Sequence, residues 1–91
     1  AVCTIYDAVP SIGQIEKTAL SLFNDVIVSE AVVNNVPVVD LRAICTDPLD
    51  YSPISPIEPS SRGGAKIAKA LAHIFDKHDF SSARTAIYAG C

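Results

Sequence analysis

The order of its elements predicts an α/β fold built on parallel strands, in the arrangement β-α-β-loop-α. Three observations predict it. A short β-branched and aromatic segment opens the chain, and about twenty residues without Gly or Pro follow its loop. A second apolar run, VPVVDL, comes next and shows no alternation. A long proline-rich loop then leads into another amphipathic stretch.

Residues 2–6 (VCTIY) suit a strand, and residues 7–13 bring the Asp, Pro, Ser and Gly of a departing loop. Residues 14–34 predict a helix. Ile15, Ala19, Leu22, Val26 and Val33 lie on one stripe, with Leu20, Phe23, Ile27 and Ala31 beside it, a width that suits a helix packed on a sheet. Val26-Ile27-Val28 locally favours a strand, but length and the missing breakers decide for helix. Asn34-Asn35 supplies the stop and Pro37 confirms it.

Residues 36–41 predict a second strand, covered on both faces. Asp40 falls at its C-terminal end, where open α/β sheets place their chemistry. Residues 42–59 form a long loop with four prolines, a length that marks functional or disordered segments. A helix follows over residues 61–75, capped by Ser60 or Ser61. Ile67, Leu71, Ile74 and His78 share one stripe, flanked by Ala68 and Phe75. Within the tail, 77–91, residues 80–91 read as an extra edge strand.

Two parallel strands make a poor sheet, because both are edges. Residues 1–91 therefore read as part of a domain. The expectation is a missing N-terminal half, or a homo-oligomer that completes the sheet.

Composition narrows the function classes. The 91 residues amount to one small domain, 49% apolar and 19% charged, which is a globular balance. A net charge of -3 and a pI near 5.1 argue against a nucleic-acid partner. The apolar runs are far shorter than the roughly 20 residues of a membrane span. The start, AVCTIYDAVP, lacks the basic region of a signal peptide. Three cysteines without a C-x-x-C point to free thiols in a reducing, cytoplasmic compartment rather than to disulfides or zinc. Cys3 and Cys45 read as buried, inert thiols. No metal or cofactor motif is present in the sequence.

One segment carries a resemblance. The run from Ser55 to Ala68, SPIEPSSRGGAKIA, resembles the last block of the SGNH (GDSL-type) hydrolases, Asp-x-x-His-Pro, three residues, Gly, then a helix with Ile/Leu-Ala. Pro59 matches the family proline, Gly63 its glycine, and Ile67-Ala68 its helix face. TIYDAVP at 4–10 resembles the family's fourth strand and loop, and Phe23-Asn24 with VPVVDLR at 36–42 resembles its next helix and fifth strand. The likeness covers residues 2–76 and rests on the order of these parts.

The resemblance implies a flavodoxin-like three-layer α/β/α fold and hydrolysis of a small ester by a serine nucleophile, of which this chain is the C-terminal portion. The family's Gly-Asp-Ser motif and oxyanion blocks are not in the chain. Glu58 stands at the family's histidine position and Ser55 at its aspartate position. A histidine suits that role because its pKa near 6.5 lets it take and return a proton at neutral pH, whereas a carboxylate of ordinary pKa near 4.3 is a weaker base. Glu58 is thus either a general base or a carboxylate that favours a helix N-terminus. The chain by itself predicts no esterase activity. The alternative is a non-catalytic α/β interaction module completed by a partner chain or by self-association.

Other residues compete for chemistry. Ser60, Asp47 and Asp50 have the character of turn and cap residues. His73 reads as a solvated helix residue and His78 as a C-terminal dipole partner. The run Ser60-Ser61-Arg62-Gly63-Gly64-Ala65-Lys66 superficially resembles a phosphate loop, but lacks its spacing.

Overall fold

A computed structural model of the chain describes residues 1–90. Strand β1 is Val2–Cys3, helix α1 is Gln14–Val33 and strand β2 is Val38–Val39. A short helix α2, Leu41–Ile44, and a single 3-10 turn, Pro48–Asp50, precede helix α3, Ser61–Lys77, and strand β3, Ile87–Tyr88. The result is a small mixed α/β domain with a three-stranded parallel sheet in the order β1-β2-β3.

The strands are shorter than expected over residues 2–6 and 36–41, because only two residues of each form the ladder. Val2 pairs with Val38 and Cys3 with Val39, and Val38 and Val39 pair in turn with Ile87 and Tyr88. The expected parallel pairing of the first two strands is therefore present. The tail does supply an edge strand, and that makes β2 central rather than an edge. Thr85 locks the tail at this point, its hydroxyl donating to the Val36 carbonyl. Cys91 lies outside the described residues.

Val38 and Val39 are fully buried and point to opposite faces. Val39 packs with Ile44, Cys45, Tyr51, Ala70 and Ile74, the core on the α3 side. On the other face Val2, Ile27 and Ala31 line one groove under α1.

Helix α1 corrects the sequence reading. Its buried positions are Asn24 and Ala31, with Leu20, Ile27 and Val28 half-buried. The stripe of Ile15, Leu22, Val26 and Val33 faces solvent, 60–84% exposed. Both sides of α1 are apolar, so periodicity could not choose between them. The helix ends in a Schellman motif. Val36 N–H donates to Ala31 carbonyl and Asn35 N–H to Val32 carbonyl, with Asn35 at φ 56°.

Helix α3 buries Gly63, Ala70 and Ile74, with Ile67 and Leu71 half-buried. The flanking residues Ala68 and Phe75 are exposed instead. No helix among the described residues is long and apolar enough to cross a membrane.

Candidate functional site

Parallel strands send their outgoing loops to one edge of the sheet, and the carboxylates and serines singled out from the sequence lie on the loops that leave it. Thr4, just past β1, is buried. Its hydroxyl donates to Asp40 Oδ1 at 2.9 Å and accepts from the Leu41 N–H at 2.9 Å. Arg42 clamps the same carboxylate through both oxygens, Nε to Oδ1 at 2.8 Å and Nη2 to Oδ2 at 3.2 Å. The Arg42 hydrogen bond is the main reason the Asp40 carboxyl lies below its ordinary range; burial opposes it and Thr4 assists. Asp40 also caps α2. It ties the exits of β1 and β2 together.

Asn24 does the same for the next residue of the β1 exit. Its side-chain oxygen accepts from Ile5 N–H at 2.7 Å, and its amide donates to Ile5 carbonyl at 2.9 Å. A fully buried Asn thereby satisfies backbone groups that a neighbouring strand would otherwise pair.

The loop expected over residues 42–59 is ordered by hydrogen bonds. Asp47 and Asp50 form a capping box around the 3-10 turn, with Leu49 N–H donating to Asp47 Oδ1 and Asp47 N–H to Asp50 Oδ2. Asp50 is fully buried, and Lys66 Nζ donates to its Oδ2 at 2.7 Å. Among the described residues, its Oδ1 has only Arg62 Nε at 3.4 Å. Burial pushes the Asp50 carboxyl up, but the Lys66 hydrogen bond, the Asp47 N–H and the two cations hold it below its ordinary range. Because Lys66 is engaged here, segment 60–66 is a capped helix start rather than a phosphate cradle. Ser60 is the cap: its hydroxyl accepts from Gly63 N–H at 3.2 Å and donates to Leu49 carbonyl at 2.6 Å.

Tyr51 and Pro59 form an antiparallel bridge that closes the loop between them. The Tyr51 hydroxyl donates to Cys45 carbonyl at 2.7 Å, and burial pushes the phenol up to about 12. Inside the loop, Ser52 N–H donates to Glu58 carbonyl and Glu58 N–H to Ser55 carbonyl, both at 2.9 Å. The two candidate positions, Ser55 and Glu58, are thus joined by a backbone turn and not through their side chains. Ser55 is half-buried, and Glu58 is exposed at the tip. Tyr6, from the β1 exit, holds the tip in place, its hydroxyl donating to Ile57 carbonyl at 2.6 Å.

Between the β1 exit and this tip lies a cleft of about 570 Å³. Ile5, Val9, Ile12, Leu20 and Ile57 supply its walls, and Glu16 stands among them. Glu16 folds back over Gly13, the residue that caps α1, and leaves no room for a side chain there unless it moves.

The histidines do not join this edge. His73 is half-buried rather than solvated, stacked edge-on against Tyr88. His78 caps the end of α3, its Nδ1 at 2.8 Å from the Tyr88 hydroxyl. The thiols of Cys3 and Cys45 are free and pushed up by burial, which suits inert packing. No group of His, Cys, Asp and Glu among the described residues could hold a metal ion.

Three members of this framework were not assigned their roles from sequence. The signal for Asn24 was a polar residue amid Leu20, Ile27 and Ala31, and for Asp50 it was the Asp-x-x-Asp spacing of a capping box. The role of Thr4 left no signal, since its partner lies 36 residues away. No family model, curated protein or solved structure matches the chain.

Proposed function

We propose that this chain is the C-terminal portion of an SGNH-type ester hydrolase domain, of flavodoxin-like architecture, and that it presents Glu58 as the general base. The observation that carries the reading is the placement of the Glu58 tip. It stands where the strands exit, pinned by Tyr6 and bordering an apolar cleft. A base must be held within hydrogen-bond reach of the hydroxyl it deprotonates, and a loop closed by three backbone contacts and the Tyr6 hydroxyl limits where the Glu58 backbone can go. The serine and the oxyanion donors would come from a separate segment that completes the domain. With that serine supplied, Glu58 takes its proton as the ester carbonyl is attacked, and returns it to the leaving alcohol.

The test is reconstitution with a segment carrying a strand followed by Gly-Asp-Ser, assayed on a short aryl ester. The chain alone is expected to match buffer. The reconstituted pair is expected to turn over, and Glu58→Gln to lower kcat by about 10²-fold or more. Unchanged turnover in Glu58→Gln would reduce the residue to a surface carboxylate.

The exposed apolar stripe of α1 favours a second reading, a non-catalytic module that buries Ile15, Leu22, Val26 and Val33 against a partner or a second copy. Stable association with no turnover after reconstitution would favour it.

A further inference from the structure

We propose that the cleft between the β1 exit and the Glu58 tip is a binding site for an uncharged or cationic alkyl group, and that Glu16 makes it reject an anionic one. The assignment deepens the hydrolase reading, for which the cleft would seat the apolar arm of the ester, but it is argued from the cleft itself.

The walls are built before any ligand arrives. Asn24 grips both backbone groups of Ile5 at one side, at 2.7 and 2.9 Å. The Tyr6 hydroxyl grips Ile57 at the other, at 2.6 Å. Pinned walls reduce the ordering cost of binding. The volume, about 570 Å³, falls in the ordinary range for small-molecule sites.

The lining decides the ligand class. Ile5, Val9, Leu20 and Ile57 offer only methyl and methylene surface. A chain entering them gains roughly 0.8 kcal/mol per buried methylene. The charged residue among the lining is Glu16, whose carboxylate lies over Gly13 at the start of α1. A cationic or hydroxyl head can meet that oxygen, whereas a carboxylate head meets a like charge. Glu16 is exposed, so the discrimination has the modest, salt-screened size of a surface charge. The negative charge of Glu16 is itself favourable where it stands, beside a helix N-terminus.

The experiment uses the chain itself and needs no chemistry. Octanol, octylamine and octanoate share one chain length and differ in head charge. Their dissociation constants and the resonances they perturb are measured by NMR titration. Octanol and octylamine are expected to shift Ile5, Val9, Ile12, Leu20 and Ile57. Octanoate is expected to bind about tenfold more weakly, by a margin that shrinks with added salt. Glu16→Gln is expected to bring octanoate level with octanol. Leu20→Glu is expected to abolish binding of octanol.

Three outcomes overturn the proposal: no saturable binding of any of the three, equal affinity for all heads, or shifts confined to the outer stripe of α1. If the discrimination vanishes in Glu58→Gln and persists in Glu16→Gln, the assignment to Glu16 is wrong. Failure here leaves the reconstitution test of Glu58 unaffected, because that test reads turnover and this one reads binding to the isolated chain.

Discussion

Gly63 lies directly beneath the carbonyl of Asp50: a Cβ added to Gly63 would stand 2.0 Å from the Asp50 oxygen. The reason is local. Ser60 N–H donates to that same carbonyl at 2.8 Å, so the 3-10 turn and the start of α3 are drawn backbone to backbone. Only a residue without a side chain fits at their crossing.

Gly63→Ala is therefore expected to destabilise by about 3 kcal/mol, because backbone and not a flexible side-chain end must give way. Gly64, the next residue, has nothing within 4 Å of an added Cβ. Gly64→Ala is expected to stabilise by roughly 0.5–1 kcal/mol through helix propensity alone. Urea unfolding of the two variants checks the contrast, and equal effects would contradict the packing.

Lys66 is the chief partner of a buried carboxylate. Lys66→Met leaves Asp50 with the Asp47 N–H at 3.1 Å and Arg62 at 3.4 Å. The expected cost is about 3 kcal/mol, the low end for stranding a buried charge, since Lys66 itself is one-third exposed. Lys66→Arg, which keeps a donor, is expected to recover much of it. Denaturant midpoints of both variants test this.

Asp40 and Asp50 both sit below their ordinary range. A carboxyl depressed in the folded state binds fewer protons there than in the unfolded chain. Its stabilisation is complete above the unfolded value near 4, and is lost as pH falls through the folded value. Thermal midpoints are expected to hold steady above about pH 5 and drop steadily below about pH 4. Asp40→Asn is expected to flatten part of that drop. A midpoint independent of pH down to 2 would show that neither carboxylate is paired in solution.

The cleft rim contains a turn with an unfavourable residue. Pro10 and Ser11 form the corner between Val9 and Ile12, where Ile12 N–H donates to Val9 carbonyl at 3.3 Å. Ser11 has φ 67°, the left-handed region that this turn type reserves for glycine. Ser11→Gly is expected to stabilise by about 0.5–1 kcal/mol, the relief of strain outweighing the entropy of the unfolded glycine. Ser11→Ala is expected to give no gain, since alanine keeps the same Cβ. A thermal shift assay separates the two.

What the sequence by itself determined was local. The 14–34 helix and its stop at Asn34-Asn35, the cap at Ser60 and the start of α3 all rest on contacts within a few residues. Caps, breakers and propensities act over that range. The parallel pairing of the first two strands was also legible, because a helix-length connection forces it. Tertiary structure decided which apolar face of α1 is buried. Its Leu20–Asn24–Ile27–Ala31 side is buried although its Ile15–Leu22–Val26–Val33 side is the more apolar, and only the sheet selects between them. It also decided that Asp50 is an ion-pair centre and not simply a turn residue, since Lys66 reaches it from 16 residues away. The candidate site divides the same way. Glu58 and Ser55 were identified by their positions in one short run of sequence. The cleft beside them exists because Asn24 and Tyr6 bring α1, the β1 exit and the Glu58 tip together, and pairings at separations of 19 and 51 residues leave no periodic trace in a chain.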